Sequence, residues 1–192
     1  MDRSNGCASL TAGIEQEIAI LYELEAPGML RYAVKIAGNR ATAQDALQEA
    51  FFRFFIARSA GQTIQSPKAW LFRVIRNYIL DQKKSASRNE VALESALSLP
   101  SPVQHAESGY DRSDLLRRAM KLGLSARETE CVRLRAEGLR YEDIGDVLGV
   151  RMGTVGALLA RAHEKIRQAA KQAILISRDT GMALAQENHY AP

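Results

Sequence analysis

The chain has 192 residues, 46% of them hydrophobic and 25% charged, a composition typical of a soluble globular protein with one or two small domains. Lys and Arg exceed Asp and Glu by 26 to 22, and the net charge of +4 permits a polyanionic partner without requiring one. No apolar run approaches the roughly 18 residues that a membrane span needs, and the N-terminus lacks the order of a signal peptide, so the sequence predicts a cytoplasmic protein.

Apolar residues recur with helical spacing along the chain, and runs of the alternating strand type are almost absent. The predicted fold class is therefore all-α, with two small helical domains. The stretch "SASRNEVALESALSLPSPVQHAESGYD" is rich in Ser, contains Pro100 and Pro102 and has little periodicity, which is typical of a flexible linker. The predicted division is an N-terminal extension (1–20), a first domain (21–84), the linker (85–111), a second domain (112–170) and a C-terminal tail (171–192).

The first domain contains the stretch "TAQDALQEAFFRFF", in which Thr42 and Asp45 predict the start of a helix. One face of this helix is predicted to be core, and its members are Leu47, Ala50, Phe51, Phe54 and Phe55. The opposite face combines polar and large apolar residues, namely Asp45, Gln48, Glu49, Phe52, Arg53 and Ile56. Large apolar groups in a polar stripe predict a surface that binds a protein partner, unless Phe52 packs on a neighbouring segment.

The next helix, "SPKAWLFRVIRNYILDQKK", has strong start signals, because Ser66 is a good N-cap and Pro67 suits the first helical position. Its predicted buried stripe is Leu71, Val74, Ile75, Tyr78 and Ile79. A second, basic face carries Arg73, Arg76, Asn77, Lys83 and Lys84. This face suits a phosphate backbone, with Asn77 able to hydrogen-bond a base edge, although a solvated basic face has the same pattern. Trp70 either stacks on an unpaired base or belongs to the core.

The second domain begins with a capping box of Ser125 and Glu128, and Gly138 is a helix stop. A short helix from Tyr141 to Leu148, a hinge at Gly149 and a following helix give the outline of a helix-turn-helix motif. In the last helix the residues predicted to face the core are Met152, Val155, Leu159, Ala162 and Ile166. The adjacent stripe, predicted to face the DNA major groove, is Arg151, Thr154, Leu158, Arg161 and Lys165.

Taken together, "ATAQDALQEAFFRFF", "WLFRVIRNYILDQKK" and "LSARETECVRLRAEGLRYEDIGDVLGVRMGTVGALLARAHEKIR" resemble a bacterial RNA polymerase sigma factor of the extracytoplasmic-function group. The resemblance runs from about Leu21 to Arg167, in the family's order and at its spacing. It implies a first domain that docks on the polymerase clamp and opens the minus-10 promoter element, and a second that reads the minus-35 element. It also implies core RNA polymerase, promoter DNA and an anti-sigma factor as partners, with no cofactor, membrane or small-molecule substrate.

The resemblance also assigns roles to individual residues. Asp45, Gln48 and Glu49 lie where the family contacts the polymerase, and Phe52 and Arg53 complete the predicted polymerase-binding set. The predicted minus-10 interface consists of Gln62, Trp70, Arg73, Arg76, Asn77, Lys83 and Lys84. Within it, Gln62 belongs to the loop Arg58 to Ser66, where the family holds a flipped non-template base. The predicted minus-35 contacts are Tyr141, Arg151, Thr154, Leu158, Arg161 and Lys165.

The last helix, which is predicted to read the DNA major groove, departs from the family pattern. After Gly-Thr-Val the family usually has a Lys, a small polar residue and an Arg, whereas this chain has Gly156, Ala157 and Leu158. Losing two phosphate contacts lowers the slope of log affinity against log salt by roughly 1.8. Gly156 and Gly145 are each expected to cost their helices about 1 kcal/mol relative to Ala, unless close packing requires Gly145. Weak DNA binding is therefore expected, with the first domain and the polymerase raising the effective concentration.

Two other functions fit parts of the sequence. A regulator of the quorum-sensing type also has an "LSxRE" opening and a helix-turn-helix, but it leaves residues 41–84 unexplained. A sigma-like decoy that binds an anti-sigma protein and no promoter accounts for the missing cations. An enzyme is not predicted, because His105, His163 and His189 are scattered and Cys7 and Cys131 form no Cys-x-x-Cys pair. No catalytic or metal site is therefore assigned.

Overall fold

The structure is a computed structural model that describes the backbone of residues 4–93 and 123–187 and the side chains of residues 12–85 and 123–171. All regular secondary structure in these ranges is helical, which confirms the all-α prediction. The helices are α1 (Ser4–Ala37), α2 (Arg40–Ser59), α3 (Pro67–Leu93), α4 (Ala126–Ala136), α5 (Tyr141–Leu148) and α6 (Met152–Glu187). Within the described part of the chain, none of the helices has the length and apolar character that a membrane crossing requires.

The chain forms two compact units, Met1–Gln104 with Leu134–Met152, and His105–Arg133 with Gly153–Pro192. The predicted domain boundaries stay a prediction, and the predicted linker lies mostly outside the described residues. Helix α1 is continuous through the predicted boundary at residue 21, and α3 continues to Leu93, past the predicted linker start. Helix α6 extends to Glu187, well into the predicted tail.

The core of the first unit lies among α1, α2 and α3, where large side chains are fully buried. Tyr32 of α1 meets Phe72 of α3 edge to face with ring centroids 5.1 Å apart. Tyr22 meets Phe51 of α2 in the same geometry and at the same distance. Aromatic pairs of this kind add about 0.5–1.5 kcal/mol beyond the area that they bury. The predicted core residues Leu47, Ala50, Phe51 and Phe54 are all buried, and Phe55 is half-buried.

The predicted start of α2 is wrong, and the predicted start of α3 is confirmed. Helix α2 begins at Arg40 rather than near Thr42, because Asn39 is its N-cap and accepts a hydrogen bond at 2.8 Å from the Thr42 backbone N–H. Helix α3 begins at Pro67, directly after Ser66, as the start signals predict. Proline is tolerated there because the first helical N–H needs no partner within the helix.

Two glycines set the turns around α5. Gly138 has a φ of +88° after the end of α4, and Gly149 has a φ of +67° as the C-cap of α5. Residues with a side chain rarely adopt this left-handed conformation, so glycine is the expected residue at both positions. The predicted helix stop and hinge are therefore confirmed, and α5 spans Tyr141–Leu148 as predicted.

Candidate functional site

The outer face of α2 carries large apolar side chains in solvent. Phe52 is 60% exposed and Ile56 is 50% exposed, while Asp45 and Gln48 are exposed on the same side of the helix. The alternative that Phe52 packs on a neighbouring segment is therefore wrong for the described residues. Glu49 and Arg53 pair with each other at 2.6 Å across one helical turn. We call Asp45, Gln48, Glu49, Phe52 and Ile56 the α2 stripe.

The side of α3 opposite its buried stripe is basic. Leu71, Ile75 and Ile79 are fully buried, while Val74 and Tyr78 are half-buried. Arg73, Asn77 and Lys84 are exposed on the opposite side, and Arg76 is half-buried. Lys83 lies at the edge of this surface, where its ammonium group donates to the Ile36 carbonyl near the end of α1. We call Arg73, Arg76, Asn77 and Lys84 the α3 basic face.

Trp70 and the loop before α3 border the basic face. Trp70 is half-buried and packs against Phe54 with ring centroids 5.7 Å apart, so part of its surface belongs to the core. Gln62 is exposed in the loop after α2. Its backbone carbonyl accepts a hydrogen bond at 2.9 Å from Arg58, and Arg58 also pairs with Glu17 at 3.0 Å. These contacts fix the loop and leave the Gln62 side chain in solvent.

The α6 helix corrects two placements made from the sequence. Leu158 is 6% exposed, so it does not lie on a surface that contacts DNA. Met152, which was expected in the core, is 53% exposed. Val155, Leu159 and Ala162 are buried as predicted, and Ile166 is half-buried. Positions 155, 158, 159 and 162 follow the three- and four-residue spacing of one helix face, which explains why Leu158 is buried with them.

The remaining residues of the predicted minus-35 set stay at the surface. Arg151, Thr154 and Arg161 are exposed, and Ala157, which was not among the predicted contacts, is also exposed. Tyr141, at the start of α5, is 39% exposed and has the Arg135 guanidinium 5.9 Å from its ring centroid. The exposed residues of the first turns of α6 are therefore Met152, Gly153, Thr154 and Ala157.

A buried carboxylate engages two cations of α6. Glu128 accepts hydrogen bonds from Lys165 at 2.8 Å and from the Ser125 backbone N–H at 2.8 Å, and its other oxygen lies 3.5 Å from Arg161 Nε. The bond from Lys165, followed by that from Ser125, lowers the pKa of Glu128 to about 2, although burial acts in the opposite direction. The predicted capping box is confirmed, because Ser125 Oγ accepts from the Glu128 N–H at 3.3 Å. The sequence predicted the cap but not the partners on α6.

The described side chains contain no group of three or more His, Cys, Asp or Glu that could hold a metal ion. Cys131 is fully buried, and burial raises the pKa of its thiol. A buried thiol with a raised pKa is a poor nucleophile.

Comparison with known proteins identifies the family. Residues 21–89 match the family model Sigma-70 region 2. The chain is 31% identical over 170 residues to the ECF RNA polymerase sigma factor SigL of Mycobacterium tuberculosis, covering 87% of this chain and 94% of that protein. It is 32% identical over 154 residues to the ECF RNA polymerase sigma factor SigE of Mycolicibacterium smegmatis, covering 77% of this chain and 59% of that protein.

Two solved structures share the fold. The sigma factor RpoE from Bartonella quintana, solved in complex with the anti-sigma factor NepR, has a TM-score of 0.61 and 22% sequence identity, covering 82% of this chain and 96% of that chain. CnrH, solved with the cytosolic domain of CnrY, has a TM-score of 0.53 and 19% identity, covering 86% and 95% of the two chains. Since the similarity to SigL extends over both predicted domains, the chain belongs to the extracytoplasmic-function (ECF) family of RNA polymerase sigma factors.

Proposed function

We propose that this protein binds core RNA polymerase, directs it to specific promoters and helps to open the minus-10 region. The observation that carries the proposal is that α2 and α3 present two chemically different surfaces on one helical core. The α2 stripe is apolar and acidic, and the α3 basic face is cationic. One surface suits a protein partner and the other suits a nucleic-acid strand. The protein acts by binding, in the cytoplasm, where polymerase and promoters are found.

The α2 stripe is proposed to dock on the polymerase. Phe52 and Ile56 lose water-accessible apolar surface only if a partner covers them, and burial of one such side chain stabilises a complex by about 1.5–3 kcal/mol. Asp45 and Gln48 lie beside them and supply polar contacts at the rim. An apolar centre with a polar rim is the usual composition of a protein interface.

The α3 basic face is proposed to hold the separated minus-10 strand. Arg73 and Lys84 are exposed to meet phosphates, and Asn77 is exposed to meet a base edge. Gln62 in the neighbouring loop and the exposed part of Trp70 offer contacts to unpaired bases. Bases become available to these groups only after the duplex opens, so binding of this kind favours the open state.

The α5–Gly149–α6 segment is proposed to read the minus-35 duplex, and the proposed contact residues are Tyr141, Arg151, Thr154, Arg161 and Lys165. Leu158 is left out of this surface because it is buried. The lack of a cation at position 156, where the family usually has Lys, keeps duplex affinity low. Attachment to the polymerase compensates by raising the local concentration of the segment near DNA.

An anti-sigma factor is the proposed regulatory partner. The two solved structures of similar fold were each determined with a protein bound, an anti-sigma factor in the case of RpoE. The chemistry of the α2 stripe suits such a partner, because a protein that covers Phe52 and Ile56 excludes the polymerase from the same surface. The decoy alternative shares this binding to an anti-sigma protein but lacks promoter activity.

Run-off transcription with purified core polymerase and a genomic promoter library tests the proposal. A working sigma factor gives transcripts with defined start sites that appear only when the full chain is added. A decoy binds an anti-sigma protein and gives no transcripts. A regulator of the quorum-sensing type alters transcription only when another sigma factor is present, and either of these results overturns the proposal.

A further inference from the structure

Glu128 lies near the start of α4 and contacts two cations of α6, the helix proposed to read the minus-35 element. Its side chain is only 5% exposed, although it carries a full negative charge at neutral pH. Lys165, which also donates to the Gly123 carbonyl at 3.1 Å, and Arg161 are the cations that face it. A charged side chain this deeply buried keeps its partners, because leaving it unpaired is strongly unfavourable.

The pairing reduces the positive charge that α6 offers to DNA phosphates. From position 151 to 171 the acidic residue is Glu164, and the basic residues are Arg151, Arg161, Lys165, Arg167 and Lys171. Glu128 engages Arg161 and Lys165, and Glu164 engages Arg167. Among the side chains that the structure describes, Arg151 and Lys171 are the basic residues of this stretch without an acidic partner. A cation that is already neutralised gains less from a phosphate than a free one does.

We propose that Glu128 is a specificity-determining residue that restrains sequence-independent binding to DNA by holding Lys165 and Arg161. Glu128 does not touch DNA, and it acts as a positioning residue through the two cations. With part of their charge neutralised, the contribution of phosphates to binding falls, and discrimination depends more on base contacts from the first turns of α6. The proposal rests on the proposed reading of minus-35 DNA by this helix.

The test is duplex binding by full-length Glu128→Gln at several salt concentrations. The amide keeps the shape of the side chain and an oxygen acceptor for the Ser125 N–H, but it removes the charge that holds the cations. We expect tighter binding to a non-promoter duplex and a slope of log affinity against log salt that is steeper by up to about 0.9, because the change removes one negative charge. Preference for a promoter duplex over the non-promoter duplex should fall.

Two control variants separate this effect from simpler ones. Glu23→Gln changes the net charge by the same amount at an exposed position of α1, and its slope should match that of the unmodified protein. Ser125→Ala removes the hydroxyl of the same capping box but leaves the carboxylate, and its slope should also be unchanged. A purely structural role for Glu128 predicts weaker binding to both duplexes without a steeper slope, and this result would overturn the proposal.

A second pair of variants keeps the test decisive if Glu128→Gln does not fold. Lys165→Gln should lower the slope by clearly less than Arg151→Gln, which should lower it by about 0.9, because Glu128 holds the Lys165 ammonium group and does not hold Arg151. Equal losses from the two variants would contradict the proposal. Failure of the proposed function appears separately, as absence of transcription, because these slopes are measured on a non-promoter duplex without polymerase.

Discussion

Gly145 in α5 lies so close to the Val150 carbonyl that a Cβ at position 145 would stand 2.8 Å from that oxygen. A hydrogen bond also joins these two residues, since the Val150 backbone N–H donates to the Gly145 carbonyl at 3.0 Å. The turn around Gly149 thus folds back onto α5 at a point where only glycine fits. Glycine destabilises a helix relative to alanine, but only glycine allows the backbone to approach Val150 this closely.

Replacement of Gly145 by Ala should therefore destabilise the fold, by about 1–3 kcal/mol, because the added methyl group meets backbone that cannot move without breaking the turn. Gly153→Ala is the matched control. A Cβ at Gly153 meets nothing within 4 Å, so this change should stabilise α6 by up to about 1 kcal/mol. Urea unfolding followed by circular dichroism measures both, and a stabilised Gly145→Ala variant would show that the turn is looser than described.

Substitutions in the α2 stripe should weaken polymerase binding without changing the fold. The double variant Phe52→Ala with Gln48→Ala should bind core polymerase at least about tenfold more weakly, or about 1.4 kcal/mol, because both side chains lie on the proposed contact surface. Its helical circular dichroism should not change, since both positions are exposed. Leu24→Ala, at a 72% exposed apolar position of α1, is the control and should bind normally. Normal binding by the folded double variant would remove the stripe from the interface.

Positions 157 and 158 should respond in opposite ways to an added cation. Ala157→Arg places a charge on the exposed surface of α6 and should steepen the salt slope of duplex binding by up to about 0.9. Leu158→Arg replaces a buried side chain and should destabilise the fold by about 2 kcal/mol or more. Ala19→Arg on α1 controls for net charge. If the Leu158→Arg protein stays stable and shows the steeper slope, the assignment of the α6 surface is wrong.

Acid should weaken the fold partly through Glu128. Its pKa in the folded protein is about 2, below the ordinary value of 4.5, so the charged carboxylate stabilises the folded state. This contribution is fully present above about pH 4.5 and is lost as the pH falls from there toward 2. The difference in Tm between the unmodified protein and Glu128→Gln should therefore be largest near neutral pH and shrink below pH 4.5. A difference that does not vary with pH would mean that the carboxylate is not held as described.

Helical spacing in the sequence was enough to predict the fold class and most of the buried residues in α2 and α3. Local signals also predicted the Ser125 capping box, the Pro67 start and the turns at Gly138 and Gly149, because each depends on residues a few positions apart. Spacing did not decide which edge of the α6 stripe is buried. Met152 was among the predicted core positions and Leu158 was on the adjacent stripe, and the structure exposes the first and buries the second.

Contacts between residues far apart in the sequence could not be predicted from the sequence. The pairs of Glu128 with Lys165 and of Glu25 with Lys68, the latter at 2.6 Å, join residues from separate helices. Nothing in the local pattern distinguishes these charges from solvated ones. The same limit applies to Gly145, since its close neighbour Val150 lies across a turn whose geometry the sequence does not define.

Permanganate footprinting of a promoter recovered from the run-off assay tests the central claim most directly, because it detects unpaired thymines in the minus-10 region. We expect reactive thymines only when core polymerase and the full-length protein are both present. We also expect Arg73→Ala, on the α3 basic face, to reduce that reactivity more than it reduces binding to the closed promoter. Thymines that stay unreactive while polymerase and protein are bound to the promoter would contradict a role in promoter opening.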